Sequence, residues 1–361
     1  MPLIKVRLKE NSYNIVIGNR ILPKLGRALK ARFVGRDAVI VTNRHIRQLL
    51  GGSIVFSLRK SGFSVKIFEV PDSERSKSQK VAFDLIGKIA SYDTQKRIFI
   101  VALGGGVIGD LAGYVAAVYK RGVPYIQVPT TLLAQIDSAI GGKVAIDLPL
   151  GKNLVGAFYQ PRLVYSDVAV LSTLARRQIR NGLAEAVKYG AIQDEKLFDY
   201  IEKNYQKILS LEPKVMTRVV LRCSQIKADV VTRDEKETKN LRTILNFGHT
   251  VGHAVEAAGQ YNTYHHGEAV ALGMRIAADI ACRMGLFSRQ EFLRLESLLS
   301  KIGLPSKIQN VRLSRILEAM SHDKKFKSGK NRFVLPIRIG KVRVVEDVLP
   351  QVIRQAIQSR M

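Results

Sequence analysis

Cysteine is scarce: the 361 residues hold two, Cys223 and Cys282, far apart and without C-x-x-C spacing. That excludes a disulfide framework, suits a reducing compartment and offers no thiolate metal ligand. Acidic residues are few as well, 30 Asp and Glu against 58 Lys and Arg, for a net charge of +28. Such an excess is compatible with nucleic-acid binding. Yet the cations are spread along the whole chain, with no arginine-rich arm and no basic run interleaved with aromatics. An enzyme working on anionic cofactor and substrate gains from the same field, and a merely basic surface accounts for it equally well. Long uncharged apolar runs are missing too. The best candidate, Ile98–Tyr119, contains Asp110 and five glycines, and Ala269–Phe287 carries Arg275, Asp279 and Arg283. These fit buried strand and helix better than a membrane span. Met-Pro-Leu-Ile-Lys runs straight into an alternating pattern, so no secretory leader is expected, and no repeat or low-complexity tract is present. The expectation is a cytoplasmic protein of two domains.

The first half alternates short apolar runs with helical patterns. Leu3–Leu8, Tyr13–Ile17, Asp37–Thr42, Ser64–Val70, Arg97–Leu103 and Val123–Val128 read as strands; Arg20–Ala31, Gly51–Lys60, Ser76–Ala90 and Leu111–Tyr119 read as helices. That alternation predicts a Rossmann-like parallel α/β sheet, and the unbroken run at Arg97–Leu103 marks a strand buried on both faces. It leads into Gly104-Gly105-Gly106-Val107-Ile108-Gly109-Asp110, where a glycine turn before a helix lets backbone N–H groups approach a phosphate. The pattern is not G-x-G-x-x-G, so it does not by itself specify a dinucleotide. Thr130 and Thr131 are placed to cap the next helix. Lys143, after Gly141-Gly142, and Lys152, before Asn153, are glycine-flanked lysines expected on loops, as anion binders or as ordinary surface residues; Asp137 precedes them in apolar surroundings.

After Asp167 the strand pattern stops and helices dominate, which places the domain boundary near Leu171 (1–171 and 172–361), with one late hairpin at Arg332–Ile339 and Val342–Val345. Four of the six histidines, His249, His253, His265 and His266, fall between Arg242 and Glu268. If Arg242–Ala258 is mostly helix, Arg242, Asn246, His249 and His253 share one face at i, i+4, i+7 and i+11. A polar stripe on an otherwise apolar helix needs partners, since a buried unpaired polar group costs about 1–3 kcal/mol. Core histidines bonded to carbonyls would satisfy it; so would a metal. Glu185 and Lys188, three apart in a helical pattern, either pair with each other or bring a carboxylate to that metal. One carboxylate, two imidazoles and an open position make a catalytic zinc pattern. The i, i+4 spacing favours His249 with His253, His265 and His266 compete, and spacing alone does not choose.

The segments GGGVIGDLAGYVAAVYKRG, VPTTLLAQIDSAIGGKVAID, GKNLVGAF, GLAEAVKYG, LNFGHTVGHAVE and HGEAVALGM, in this order, closely resemble the 3-dehydroquinate synthase family over nearly the whole chain. The resemblance implies an NAD-binding α/β domain, a mainly α-helical metal- and substrate-binding domain, an active site in the cleft between them, and a homodimer. It assigns zinc, or cobalt or another divalent ion, to Glu185, His249 and His266, and leaves His253 for the substrate. It puts NAD at Gly104, Gly105, Gly106, Gly109, Asp110, Thr130 and Thr131, Glu74 and Lys77 at the adenosine end, and Asn43, Asp137, Lys143 and Lys152 along the cofactor. Substrate positions carry over as Asp137, Lys143, Asn153, Lys188, Lys227, Arg242, Asn246, His253 and Lys324, with Arg121 reaching across the dimer. Two departures stand out. Asp234–Arg242 reads DEKETKNLR, one residue longer than DEKE-x-G-x-R and without its glycine, a lengthened turn that bears on where Lys227 stands relative to Arg242. Asn43 replaces an acid, which weakens adenosine-ribose recognition without removing it.

The implied reaction is the second step of the shikimate pathway: 3-deoxy-D-arabino-heptulosonate 7-phosphate becomes 3-dehydroquinate plus phosphate, with transient oxidation by NAD, elimination, reduction, ring opening and an intramolecular aldol. Cations are needed because the substrate carries a carboxylate and a phosphate. The rivals are another sugar phosphate cyclase, for which Arg242 beside Asn246 has no carboxylate to meet, and a metal-dependent alcohol or glycerol dehydrogenase, which releases NADH. A nucleic-acid role rests on charge alone.

Overall fold

The computed structural model describes residues 2–32, 35–321 and 331–361. The chain divides into two compact units, Met1–Leu174 with Met216–Lys236, and Ala175–Val215 with Glu237–Met361. The sequence boundary near Leu171 compares with a division after Leu174, and Met216–Lys236 groups with the first unit.

The first unit holds β1 (Leu3–Val6), β2 (Tyr13–Gly18), α1 (Leu25–Lys30), β3 (Asp37–Thr42), α2 (Arg44–Ile46), α3 (Gly52–Lys60), β4 (Ser64–Glu69), α4 (Gln79–Tyr92), β5 (Ile98–Gly104), α5 (Gly106–Val118), β6 (Tyr125–Pro129), β7 (Lys143–Leu148), β8 (Gly151–Phe158) and β9 (Leu163–Asp167). One seven-stranded sheet runs β1-β2-β9-β6-β5-β3-β4, parallel apart from β1 on β2. Successive residues of its central strands serve opposite faces. Ile40, Phe99 and Val101 pack with Leu25, Leu29, Ile54 and Leu58 of α1 and α3. Val39, Val41, Ile100 and Ala102 pack with Leu85 and Ile89 of α4 and Leu111 and Val115 of α5. Helices on both faces are why β5 is apolar throughout and wholly buried. From β3 the order grows outward to β4 on one side and through β5, β6 and β9 on the other. The reversal lies between β3 and β5, and outside the carboxyl ends of strands at such a point ligands bind. Asn43 follows β3 there and Gly105 follows β5.

β7 and β8 form a separate antiparallel hairpin packed against α5. This corrects the expectation of loops around Lys143 and Lys152: Lys143 opens β7, while Lys152 and Asn153 lie in β8. The strands hold because they pair with each other and cover α5, which their modest glycine-rich composition does not advertise.

The second unit comprises α6 (Arg176–Gln193), α7 (Glu195–Leu209), α9 (His249–Ala258), α10 (His266–Arg283), α11 (Arg289–Ile302), α12 (Leu313–Ser321), the hairpin β10 (Arg332–Arg338) and β11 (Lys341–Glu346), and α13 (Pro350–Gln358). Between α7 and α9 runs α8 (Pro213–Arg233), which from Met216 onward belongs to the first unit. Helix α10 is the core of the second unit, with α6, α9, α11, α13 and β10 packed around it. Its Arg275 has no exposed surface and is held by Glu296 at 2.6 Å and Ser300 at 3.1 Å.

Candidate active site

The expected single helix over Arg242–Ala258 does not form. A 3₁₀ turn covers Leu241–Asn246, Phe247 is extended and fully buried, Gly248 takes φ +78°, and α9 starts at His249. Only glycine adopts that backbone without strain. The Phe247 carbonyl freed by the break accepts a hydrogen bond from His249 Nδ1 at 3.1 Å. Arg242 and Asn246 therefore lie on a different axis from His249 and His253, and the continuous stripe is lost. The histidines keep their i, i+4 relation, with ring centroids 5.2 Å apart.

Close backbone approach then brings separate helices to one point. A side chain at Gly273 of α10 would meet the Gly248 carbonyl at 1.8 Å, and one at Gly267 would meet the Asn181 carbonyl of α6 at 2.0 Å. The Gly267 N–H donates to Asn181 Oδ1 at 2.5 Å. Pinned in this way, Glu185 from α6, His249 from α9 and His266 from the start of α10 converge. Glu185 is fully buried, and its Oε1 lies 3.6 Å from His249 Nε2 and 3.6 Å from His266 Nε2. Its other oxygen is paired with Lys188, itself buried.

These residues fit a divalent metal. Tetrahedral bonds of about 2.0–2.2 Å would set ligand atoms about 3.4 Å apart, close to the observed 3.6 Å. The outer partners fit as well. With its Nδ1 engaged by a carbonyl, His249 turns a bare Nε2 toward the carboxylate, two electron-rich atoms that a cation between them would reconcile. Burial, then the Lys188 ammonium and the neighbouring imidazoles, hold the His249 pKa well below the usual histidine value, so the ring is neutral and ready to ligate. His266 Nδ1 meets Glu256 Oε2 at 3.1 Å. Burial opposes charge on His266, but hydrogen bonds to Glu185 and Glu256 outweigh it and push the pKa up to about 10. A proton occupies His266 at neutral pH until a metal displaces it.

His265 takes no part in this triad; it precedes α10 as its N-cap, and its N–H donates to Glu268 at 2.9 Å. His253 stands beside the triad, exposed, 5.8 Å from the His266 ring. Donor atoms of His253, Glu256 and His266 also gather within 4.8 Å, but Glu256 already holds the Nδ1 that points away from Glu185. Arg242 is buried, with Glu237 Oε1 3.1 Å from its Nε. Glu237 belongs to the lengthened DEKETKNLR segment, where it and Asn240 take positive φ. Sequence reasoning missed both Glu237 and Glu256. The acid five residues before Arg242 was a signal for the first; nothing local signals the second, whose partner lies in another helix.

In the first unit, the turn from β5 to α5 packs closely on the segment after β6: a side chain at Gly105 would meet Thr131 at 3.0 Å, and one at Gly106 would meet Ser138 at 3.1 Å. Thr130 N–H donates to the Gly104 carbonyl, and Thr131 Oγ1 accepts from Ala134 N–H at 3.1 Å. Gly109 is held close under Gln127. Bare backbone at a helix start, at the switch point of the sheet, is a cradle suited to a dinucleotide's phosphates. Beside it Lys77, buried, reaches Asp110 at 2.8 Å and Asn153 Oδ1 at 2.5 Å, and Lys152 pairs with Glu74 at 3.3 Å. Burial disfavours charge on Lys77, but Asp110, with Glu74 and Asp147 behind it, outweighs that and raises its pKa. Lys227 Nζ holds Asp137 through both its carboxylate and its carbonyl at 2.7 Å. Asn43 caps α2, accepting from Ile46 N–H at 2.8 Å, and donates to Asp72 at 2.6 Å. Lys143 is exposed at the start of β7. Arg121 is exposed at a kink after α5, with φ +63°. Lys324 lies outside the described residues.

Comparison with known proteins identifies the family. The family model described as 3-dehydroquinate synthase N-terminal matches residues 67–181, and that described as 3-dehydroquinate synthase C-terminal matches residues 182–326. A 3-dehydroquinate synthase from Desulforamulus reducens is 46% identical over 349 residues, covering 96% of this chain and 97% of the relative. The structure of a 2-deoxy-scyllo-inosose synthase with carbaglucose-6-phosphate, NAD+ and Co2+ superposes with a TM-score of 0.91 at 28% identity, covering 100% of both chains. A 2-epi-5-epi-valiolone synthase from Streptomyces hygroscopicus, with NAD+ and Zn2+ bound, gives 0.89 at 28% identity over 98% of each chain. The chain belongs to the 3-dehydroquinate synthase family.

Proposed function

We propose that this chain converts 3-deoxy-D-arabino-heptulosonate 7-phosphate to 3-dehydroquinate and inorganic phosphate. The observation that carries the reading is the buried Glu185 oxygen set equally from two imidazole nitrogens, with His253 beside them. Glu185, His249 and His266 would hold zinc or another divalent ion, and the β5–α5 turn with Thr130 and Thr131 would hold NAD. When bound, the metal polarises a substrate hydroxyl and the nicotinamide takes up and later returns a hydride. Arg242, with Asn246, binds the substrate carboxylate, for which a buried guanidinium already steadied by a carboxylate is suited. Lys143, Asn153, Lys188, Lys227 and Lys324 serve the remaining oxygens and the phosphate, and Asp137 orients Lys227. His253, exposed next to the metal ligands, moves the proton when phosphate leaves. Residues 1–171 are taken as the cofactor domain and 172–361 as the metal and substrate domain.

A sugar phosphate cyclase acting on a substrate without a carboxylate is the weaker reading, since the identity to 3-dehydroquinate synthases reaches 46% against 28% for such cyclases. We also take the active form to be a cytoplasmic homodimer with Arg121 at the partner's site. Among the described residues no helix is long and apolar enough to cross a membrane. The decisive assay follows phosphate and NADH together. Stoichiometric phosphate with no net NADH is expected. Accumulating NADH would replace this reading with a dehydrogenase, and equal turnover of a carboxylate-free sugar phosphate would replace it with another cyclase.

A further inference from the structure

The seven-stranded sheet ends at β4, whose outer edge pairs with no other strand among the described residues. An edge strand offers a row of backbone donors and acceptors to an incoming chain. Here a groove flanks it on each face. Lys66 and Phe68 line one of about 900 Å³, walled by Phe83 of α4; Val65 and Ile67 line the other, about 850 Å³, walled by Phe56 of α3. Phe56 and Phe83 are 65% and 58% exposed, so both walls present rings to water. Lysine in an edge strand is often only a guard against unwanted pairing. A guard, however, needs no exposed phenylalanine on either side of it, and two such rings beside one free edge mark a binding surface.

Charge decides the occupant. Six cations border the grooves, Arg47, Arg59, Lys60, Lys66, Lys80 and Lys88. Two of them are paired with the acids at hand, Arg47 with Glu69 at 2.6 Å and Lys88 with Asp84 at 3.5 Å, which leaves Arg59, Lys60, Lys66 and Lys80 as the excess positive charge. A second copy of this edge would bring the same cations face to face. We infer that β4 is a docking edge for an extended acidic segment of another protein, added as an eighth strand, with alternate apolar side chains in the two grooves and carboxylates on the lysine and arginine rim. The site is separate from the residues assigned above to cofactor, metal and substrate.

The probe is a fluorescein-labelled heptapeptide with three central Val, which point alternately to the two faces, and two Glu on either side, compared with its counterpart carrying Lys in place of Glu, on the full-length chain. Anisotropy should show saturable binding of the acidic peptide alone, weakened as salt shortens the Debye length. Hydrogen exchange should slow at the β4 amides. The variant F56A/F83A should weaken binding tenfold or more, and so should K66E/K80E, while phosphate release stays unchanged as proof of folding. The inference fails if the basic peptide binds equally, if β4 amides gain no protection at millimolar acidic peptide, or if both variants bind like the parent. It also fails if F56A/F83A dissociates an oligomer of the chain itself in sedimentation, because the occupant is then a second copy.

Discussion

Replacing Glu256 by Gln tests how the outer partners tune the metal site. The substitution keeps size and a hydrogen-bonding group at His266 Nδ1, now 3.1 Å from a carboxylate oxygen, but removes the negative charge. Outer partners of this kind are worth about 10–100-fold in metal affinity, or about 1.4–2.7 kcal/mol. Proton competition shapes how that loss is seen. In the metal-free parent the hydrogen bonds to Glu185 and Glu256 push the His266 pKa up to about 10, whereas burial keeps His249 neutral at pH 7. Zinc binding at about pH 8 should therefore release close to one proton from His266, and affinity should climb roughly tenfold per pH unit. In E256Q the His266 pKa falls, so fewer protons leave and the climb is shallower. The full loss of affinity appears only at the alkaline end, because at lower pH easier deprotonation offsets part of it. Chelator competition across pH, with calorimetry in two buffers to count protons, reads both quantities. A variant with the parent's affinity and the parent's pH slope would refute the assignment of Glu256 to the metal site.

Three further outcomes are expected. H266A should lose both metal and activity, whereas H253A should keep metal and lose activity; metal analysis showing the reverse pattern would exchange their roles. R275M removes a fully buried cation from the partly exposed Glu296, which Arg360 still holds at 2.9 Å, so the cost should fall near the low end of the usual range for a buried pair, about 3 kcal/mol; a urea midpoint implying less than about 1 kcal/mol would contradict it. K77M strips Asp110 and Asn153 of their common cation and should weaken NAD binding at least tenfold by titration calorimetry, with unaltered affinity counting against a cofactor role for this cluster.

The sequence alone determined the classes of the two halves. A strand buried on both faces has to be apolar without interruption, as Ile98–Gly104 is, and amphipathic helices have to repeat near 3.6 residues. It also singled out a polar cluster, because imidazoles, an arginine and a carboxylate among apolar neighbours need partners. Tertiary structure decided which of them meet. The i, i+4 rule joins His249 to His253, but Gly248 breaks the helix ahead of them, and the glycine contacts at Gly267 and Gly273 draw α6 and α10 close enough to set Glu185 and His266 opposite His249. Neither Glu256 behind His266 nor the β7–β8 hairpin was legible, since Glu256 owes its role to a residue of the next helix and the hairpin is held by its own pairing and by cover from α5, not by a strong strand pattern in its residues. Local propensity reads a few residues at a time; a side-chain cluster spread over three helices is settled only when they pack.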